Sequence, residues 1–263
     1  MLGGLTGLGN QTGGDFGERM LNTVASQSIR HLFTSSESVD VAIRCSPSSK
    51  LLQGSVDSFK MSGRRLVIRR DFKVDEMSFE TDSVAIDVRA MLAGKLQLRQ
   101  PTQAVAQVVL TEDAINQAFE AELVKQRMQQ VDLESLTNLS GGEPVSFRDV
   151  KVMLRPNNGV TILAKTDLPN KKDVPVSLQA TLAVEKRRRV LFQNAEFVGD
   201  VVPNDIQGLS KIVSEAFADI LNGMVDLDRF DLDGVLMRIN RLETRGKQLL
   251  FSGYAQIEKV PNS

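Results

Sequence analysis

Residues 104–116 read AVAQVVLTEDAIN and contain the end of a strand and the start of a helix in direct succession. Apolar side chains fall at every second position from Ala104 to Leu110, which is the period of a strand with one apolar face. Thr111 then offers an N-cap hydroxyl, and Glu112-Asp113 places negative charge where it complements a helix dipole. A run of such two-faced strands begins at Ser38, so strands come first and a helix second.

The same order recurs in the second half of the chain. Alternating segments from Pro144 to Phe197 predict a second set of strands, and an amphipathic helix follows over 206–225. A hairpin over 235–257 then closes the chain. Parallel nucleotide-binding folds alternate strands with helices, so this order predicts instead an α+β protein in which antiparallel sheets pack against amphipathic helices.

Apolar periodicity and turn residues place the remaining elements. The expected elements are a helix from Asp15 to near Ser35, turns at Gly63 and Asp71, a strand over 78–89, strand residues Leu96 and Leu98, a helix from Thr111 to near Gln130, and a turn at Asn157-Asn158-Gly159.

The glycine-rich start of the chain differs from the rest. Residues 1–14 contain six glycines and no charge, and we expect a flexible lead-in there. Residues 15–263 are expected to form a single elongated domain. Because the order of elements recurs, a division into two related halves, 15–140 and 141–263, stays open.

The composition argues against catalysis. The 263 residues include one His, one Cys, one Tyr and no Trp, and no nucleophile, base and orienting group can be assembled from His31 and Cys45. A net charge of -1 gives no overall attraction to nucleic acid. A lone Cys forms no intramolecular disulfide, and neither a signal peptide nor a run of about 18 apolar residues is apparent. We therefore expect a cytoplasmic protein, peripheral at most on the inner face of a membrane.

Two motifs that suggest a cofactor or a metal do not meet the requirements. The glycines from Gly4 to Gly9 lack the preceding strand of a dinucleotide loop. The acidic run that starts at Asp226 resembles a calcium loop, but Phe230 and Met237 stand where that loop needs oxygen ligands. No cofactor and no metal are expected.

The sharpest charge run is Lys186-Arg187-Arg188-Arg189, between two predicted strands. A solvated turn explains it most simply. The alternative is a tip that contacts anionic head groups, since each basic residue near such a surface is worth about 1 kcal/mol.

The residues 51–59, LLQGSVDSF, together with Gly63, the segment 83–87 and the segment 95–98, resemble the LmeA-like phospholipid-binding family. The helix start at 110–116 fits the same pattern, and the resemblance is clearest over about residues 37 to 125. It implies a fold similar to tubular lipid-binding proteins, in which curved sheet wraps long helices around an apolar tunnel. Many bacterial members of that family carry an export signal or an anchor, which this sequence does not display.

The function expected from the residues and the resemblance together is non-catalytic binding of phospholipid or glycolipid acyl chains, by a lipid carrier or sensor that meets an anionic membrane transiently. Aliphatic strand faces with few aromatic residues suit a cavity that accepts chains of no fixed shape. Eight residues are expected to line it: Phe59, Met61, Ile115, Phe119, Leu123, Ile212, Phe217 and Ile220. The alternative is a scaffolding protein with a filled core that binds another protein through a sheet edge or its first helix.

Overall fold

The computed structural model describes residues 12–47, 49–68, 72–132, 134–229 and 234–259. The helices in these ranges are α1 (Thr12–Arg30), α2 (Ser49–Leu52), α3 (Val88–Leu92), α4 (Glu112–Glu120), α5 (Glu122–Met128), α6 (Thr137–Ser140) and α7 (Gln207–Met224). The strands are β1 (Ser38–Arg44), β2 (Ser55–Val56), β3 (Ser58–Ile68), β4 (Phe72–Thr81), β5 (Val84–Ala85), β6 (Thr102–Thr111), β7 (Phe147–Leu154), β8 (Gly159–Leu168), β9 (Lys171–Glu185), β10 (Arg189–Phe197), β11 (Val235–Arg245) and β12 (Gln248–Ile257).

The strands form two large antiparallel sheets and one small one, so the predicted α+β class with antiparallel sheets is confirmed. The first sheet has the order β1-β3-β4-β6-β12-β11, and the second has the order β10-β9-β8-β7. The pair β2-β5 forms the small sheet. The terminal hairpin joins the first sheet, because β12 pairs with β6 from Gln248 opposite Thr111 to Ile257 opposite Thr102.

Each large sheet has its own helix. Helix α1 packs on β1, and α7 packs on β9 and β10. Helix α7 agrees closely with the predicted helix over 206–225, and its buried face includes Val213, Phe217 and Leu221. Helix α4 lies between the sheets and contacts β4 and β7.

Asparagine side chains occupy free edges of the first sheet. On β1, the Asn22 side-chain oxygen accepts from the Ile43 N–H at 3.0 Å. On β11, Asn158 accepts from the Thr244 N–H at 3.0 Å and donates to the Leu242 carbonyl at 3.2 Å. These bonds satisfy backbone groups that an edge strand otherwise leaves open to another chain.

Asparagine side chains also bind backbone groups at both edges of the second sheet. On β7, Asn116 donates to the Val152 carbonyl at 3.0 Å and accepts from its N–H at 2.7 Å. On β10, Asn222 accepts from the Phe192 N–H at 2.7 Å. Both asparagines lie on helices, α4 and α7, so the bonds also fix those helices against the sheet.

The strand predicted over 78–89 is wrong in its second half. Strand β4 ends at Thr81, and Asp87 caps α3 by accepting from the N–H groups of Arg89 and Ala90 at 2.8 and 3.1 Å. Asp side chains favour such caps over strand interiors. Leu98 makes only a single bridge to Ile86 and adds no strand to the first sheet.

Two other predictions about elements are wrong. Gly63 lies inside β3, where it leaves room for Leu66: a Cβ at Gly63 would stand 2.8 Å from a Leu66 methyl carbon. The helix predicted from Thr111 to Gln130 is broken at Ala121, which has an extended backbone (ψ 138°) between α4 and α5. The turn predicted at Asp71 lies outside the described residues.

Candidate functional site

A cavity of about 270 Å³ lies between α1 and the first sheet. Its volume is close to the roughly 300 Å³ at which ligand pockets begin. Eighteen of its twenty lining residues are apolar, the exceptions being Thr81 and Thr102. The twenty are Leu21, Ile29, Leu32, Phe33, Ile43, Val56, Phe59, Met61, Ile68, Met77, Phe79, Thr81, Val84, Ile86, Leu96, Leu98, Thr102, Val235, Met237 and Ile257.

Helix α1 forms one wall of the cavity. Leu21 and Ile29 are buried in this wall, and Asn22 between them holds the helix to the edge of β1. Arg30 adds a hydrogen bond of 3.4 Å to the Val39 carbonyl. Because α1 packs on β1 rather than across the whole sheet, space remains over the more distant strands.

The opposite wall is built from strands that are distant in sequence. Phe59 and Met61 come from β3, and Met77 and Phe79 from β4. The terminal hairpin supplies Val235, Met237 and Ile257. The hairpin contributes because β12 pairs with β6. Met side chains adapt readily to irregular apolar partners, which suits a wall that meets flexible chains.

Residues 49–57 and 84–99, which we call the end cap, lie at one end of the first sheet and contribute to the lining of the cavity. Its two segments are joined by the pairs Ser55–Ala85 and Val56–Val84. Gly54 allows the close approach, since it has φ +76° and a Cβ there would overlap the Ile86 carbonyl. The inner side chains of the end cap, such as Val56 and Ile86, line the cavity.

The cavity wall contains one buried polar atom without a partner. Thr81 is 3% exposed, and its hydroxyl has no hydrogen-bond partner among the described residues. A buried hydroxyl left unsatisfied costs about 1–3 kcal/mol. Apart from the two threonines, the lining offers a bound molecule only apolar contacts.

The structure separates the eight residues expected to line one cavity. Phe59 and Met61 lie in the cavity wall. Ile115, Phe119, Phe217 and Ile220 lie in a different core, beneath the second sheet. Ile212 is 41% exposed, and the side chain of Leu123 lies outside the described part of the chain.

The core beneath the second sheet is closely packed around Phe217. Phe217 is fully buried, and its ring centre is 4.6 Å from that of Phe147. Ser210 and Ser214 let α7 approach β9 closely, with bonds to the Pro175 carbonyl at 2.5 Å and the Ser177 N–H at 3.0 Å. Shape-matched packing of this kind is typical of a structural core.

The residues that sequence reasoning missed come mostly from α1, the end cap and the terminal hairpin. Leu21 and Ile29 carried a signal, because they fall on the apolar stripe of α1. Val235 and Ile257 carried none, since nothing local encodes the pairing of β12 with β6.

In the basic turn Lys186–Arg189, three of the four side chains bind other residues of the protein. Arg188 pairs with Asp228, and Arg189 pairs with Glu185 at 3.0 Å. Arg187 donates to Asn240, and its guanidinium lies 4.8 Å from the centre of the Tyr254 ring. For Lys186 no ion pair occurs with any described residue.

The acidic groups near this turn serve as partners of arginines. Asp226 is 8% exposed and lies 3.8 Å from Arg188, and Asp228 also binds Arg238 at 2.8 Å. The arginines hold the pKa of Asp228 below its ordinary value, Arg188 having the larger effect. Asp231 and Asp233 lie outside the described residues. Within the described ranges, no three His, Cys, Asp or Glu side chains are grouped closely enough to hold a metal.

None of the described helices combines the length and the apolar character needed to cross a bilayer. No curated protein and no solved structure matches the chain. The model of one protein family, described as LmeA-like phospholipid-binding, matches residues 12–253. The chain therefore belongs to the LmeA-like phospholipid-binding family.

Proposed function

We propose that this protein binds an acyl chain of a phospholipid, or of a glycolipid, in the cavity between α1 and the first sheet. The observation that carries the proposal is the cavity itself, about 270 Å³ with eighteen apolar lining residues of twenty. Membership of a phospholipid-binding family supports it. Binding is non-covalent, and the protein acts as a carrier or a sensor at a membrane surface.

The size of the cavity bears on what it holds. At about 270 Å³ it suits one acyl chain, or part of one, better than the two chains of a whole phospholipid. The head group then stays at the surface. Among the residues predicted from sequence, lipid contact is proposed for Phe59 and Met61, which lie in the wall.

The energetics of such a site make loading reversible. Burial of each CH₂ group is worth about 0.8 kcal/mol relative to water and nearly nothing relative to the bilayer interior. A chain that moves from bilayer to cavity exchanges one apolar environment for another. Both a carrier and a sensor require this near-balance.

We also propose that α1 and the first sheet form a tubular arrangement, with the sheet curved around the helix. Its support is the distribution of lining residues over α1, all six strands of the first sheet and the end cap. Helix α7 with the second sheet serves as the structural core, because its buried side chains form one large apolar cluster in which Phe217 packs on Phe147.

Head-group contact by Lys186–Arg189 stays a prediction. Because Arg187, Arg188 and Arg189 have internal partners, Lys186 is the residue to test alone. A Lys186→Gln variant should bind anionic vesicles less tightly than wild type at low salt. If the variant and wild type bind the vesicles equally, Lys186–Arg189 is only the turn between β9 and β10, held against β11 by the bond from Arg187 to Asn240.

The scaffolding alternative meets a physical obstacle at the sheet edges. A partner strand that added to β1 or β7 would displace the hydrogen bonds of Asn22 or Asn116. Natural proteins cover edges in order to prevent such pairing. Strand addition is therefore disfavoured relative to lipid binding.

The test is native mass spectrometry with lipid extraction of purified protein and two Trp variants. Val235 lines the cavity, whereas Val105 is 66% exposed and absent from its lining. Val235→Trp should fill the cavity and lose co-purifying lipid, while Val105→Trp should keep it. Wild-type protein that carries no lipid and ignores added fatty-acyl probes would refute the proposed function.

A further inference from the structure

We propose that the end cap is a membrane-docking face, which seats the protein on an anionic lipid bilayer through Leu52 and Leu92. This inference rests on the proposed function and deepens it, because it names the surface at which the acyl chain is exchanged. Four observations carry it: exposed leucines, local charge, continuity with the cavity and contrast with the basic turn.

The two most exposed large apolar side chains in the described residues both lie on the end cap. Leu52 is 81% exposed and Leu92 is 67% exposed. Each follows a buried residue, since Leu51 and Met91 are both 5% exposed and belong to one cluster. The short helices α2 and α3 thus bury one apolar side chain and present the next one outward.

The charge of the end cap complements an anionic surface. It contains four cationic residues, Lys50, Arg89, Lys95 and Arg99, and two acidic ones, Asp57 and Asp87. Both acids have cationic or backbone partners: Asp57 binds Lys50 at 2.6 Å, and Asp87 caps α3.

The excess positive charge is local. The whole chain has a net charge of -1, so the end cap stands out from an otherwise slightly acidic protein. Arg89 and Lys95 are exposed beside Leu92 in sequence. Basic residues around exposed leucines are typical of surfaces that bind the interface of anionic membranes.

The end cap is continuous with the cavity. Its two segments lie beyond the end of the first sheet where β1 and β4 stop and β6 starts. Val56, Val84 and Leu96 face the cavity from it, and Leu52 and Leu92 are exposed on it. A bilayer that contacts the leucines is therefore separated from the cavity only by the end cap.

The basic turn offers a contrast in the same molecule. Its arginines bind Asp228, Glu185 and Asn240, so these guanidinium groups already have partners within the protein. In the end cap, Arg99 donates to the Gln53 carbonyl at 3.0 Å, and among the described residues no ion pair occurs for Arg89 or Lys95. The end cap therefore presents more available charge together with apolar anchors.

The experiment is flotation of the full chain with phosphatidylcholine vesicles, with and without phosphatidylserine. Leu52→Ser combined with Leu92→Ser should weaken binding by roughly tenfold for each leucine. Arg89→Gln combined with Lys95→Gln should weaken binding roughly fivefold per residue, and only to vesicles with phosphatidylserine. The matched control is Val105→Ser combined with Val201→Ser, at sites 66% and 64% exposed, which should bind as wild type does.

Native mass spectrometry of the same proteins, incubated with a fatty acid in the absence of vesicles, separates this inference from the proposed function. The double-leucine variant should keep the fatty acid as wild type does. Equal flotation of wild type and that variant, or no flotation of wild type, overturns the docking face even if the fatty acid is bound. If the wild-type protein forms dimers and the double-leucine variant is monomeric, the leucines serve a protein interface, and this result overturns the docking face as well. Failure of wild type to bind the fatty acid refutes the proposed function instead.

Discussion

The side-chain oxygen of Asn22 on α1 accepts a hydrogen bond of 3.0 Å from the backbone N–H of Ile43 on β1. Ile43 is 4% exposed and lines the cavity, so this bond fixes the helical wall to the strand wall at the site itself. The same device joins Asn116 to β7, and neither Asn116 nor its partner Val152 lines the cavity. The two bonds form a natural pair for experiment.

We expect Asn22→Leu to destabilise the protein by about 1–3 kcal/mol, because the Ile43 N–H loses its partner. The variant should also release a fluorescent acyl probe faster, since α1 is held less firmly. Asn116→Leu should cost at least as much free energy, because both backbone groups of Val152 lose a partner, and should leave the release rate unchanged. Urea unfolding and stopped-flow release measure the two effects. Equal release rates in both variants would argue against α1 as a wall of the binding site.

Two glycines of the end cap share a left-handed backbone and differ in their surroundings. Gly54 has φ +76° and a crowded Cβ position, whereas Gly94 has φ +78° and open space within 4 Å. Gly94→Ala should cost only the backbone penalty of about 1–2 kcal/mol. Gly54→Ala should cost clearly more, because the end cap must also move apart at Ile86. Chemical denaturation compares them, and equal losses would contradict the close packing of the two segments.

Thr81 provides a test of the apolar character of the wall. Thr81→Val removes a buried hydroxyl without a described partner, so it should stabilise the protein by about 1 kcal/mol. The control is Thr166→Val, because the Thr166 hydroxyl is fully buried and donates to the Ser146 carbonyl at 2.9 Å. That change should destabilise the protein by about 1–3 kcal/mol. Loss of stability in both variants would show that the Thr81 hydroxyl has a partner after all.

The pairing of Asp228 with Arg188 and Arg238 predicts a dependence on pH. The pKa of Asp228 is lowered in the folded protein from an ordinary value of 3.8, chiefly by the hydrogen bond from Arg188. A carboxyl of this kind stabilises the fold fully above the unfolded value, and the contribution is lost as the pH falls through the folded value. Stability should thus decline below pH 3.8 more steeply in wild type than in Asp228→Asn. Parallel curves of urea midpoint against pH would contradict the ion pair.

The elements with strong local signals were predictable from the sequence. The strand predicted from the strict alternation between Val176 and Val184 is confirmed as part of β9. The predicted Asn157-Asn158-Gly159 turn connects β7 to β8. The break at Ala121 was not predictable, because alanine favours helix interiors and no glycine or proline accompanies it. Tertiary packing of α4 and α5 overrides propensity there.

The site was predictable only in part, for a physical reason. The apolar periodicity of Phe59 and Phe217 marks both as inward-facing, but it does not say whether the interior behind each is filled or empty. Phe217 packs on Phe147, whereas Phe59 faces the cavity. The difference depends on where α1, the end cap and the terminal hairpin meet. The hairpin reaches the site by pairing with a strand more than a hundred positions away, as where Ile257 pairs with Thr102.

The most direct test of the central claim is photo-crosslinking of a diazirine-bearing fatty acid to the wild-type protein, with the adducts mapped by mass spectrometry. We predict adducts on cavity residues from separate segments, such as Leu32, Phe79 and Met237, and competition by unlabelled phospholipid. Adducts confined to residues of the second core, such as Phe119 and Phe217, or scattered over the surface without competition, would contradict binding in this cavity.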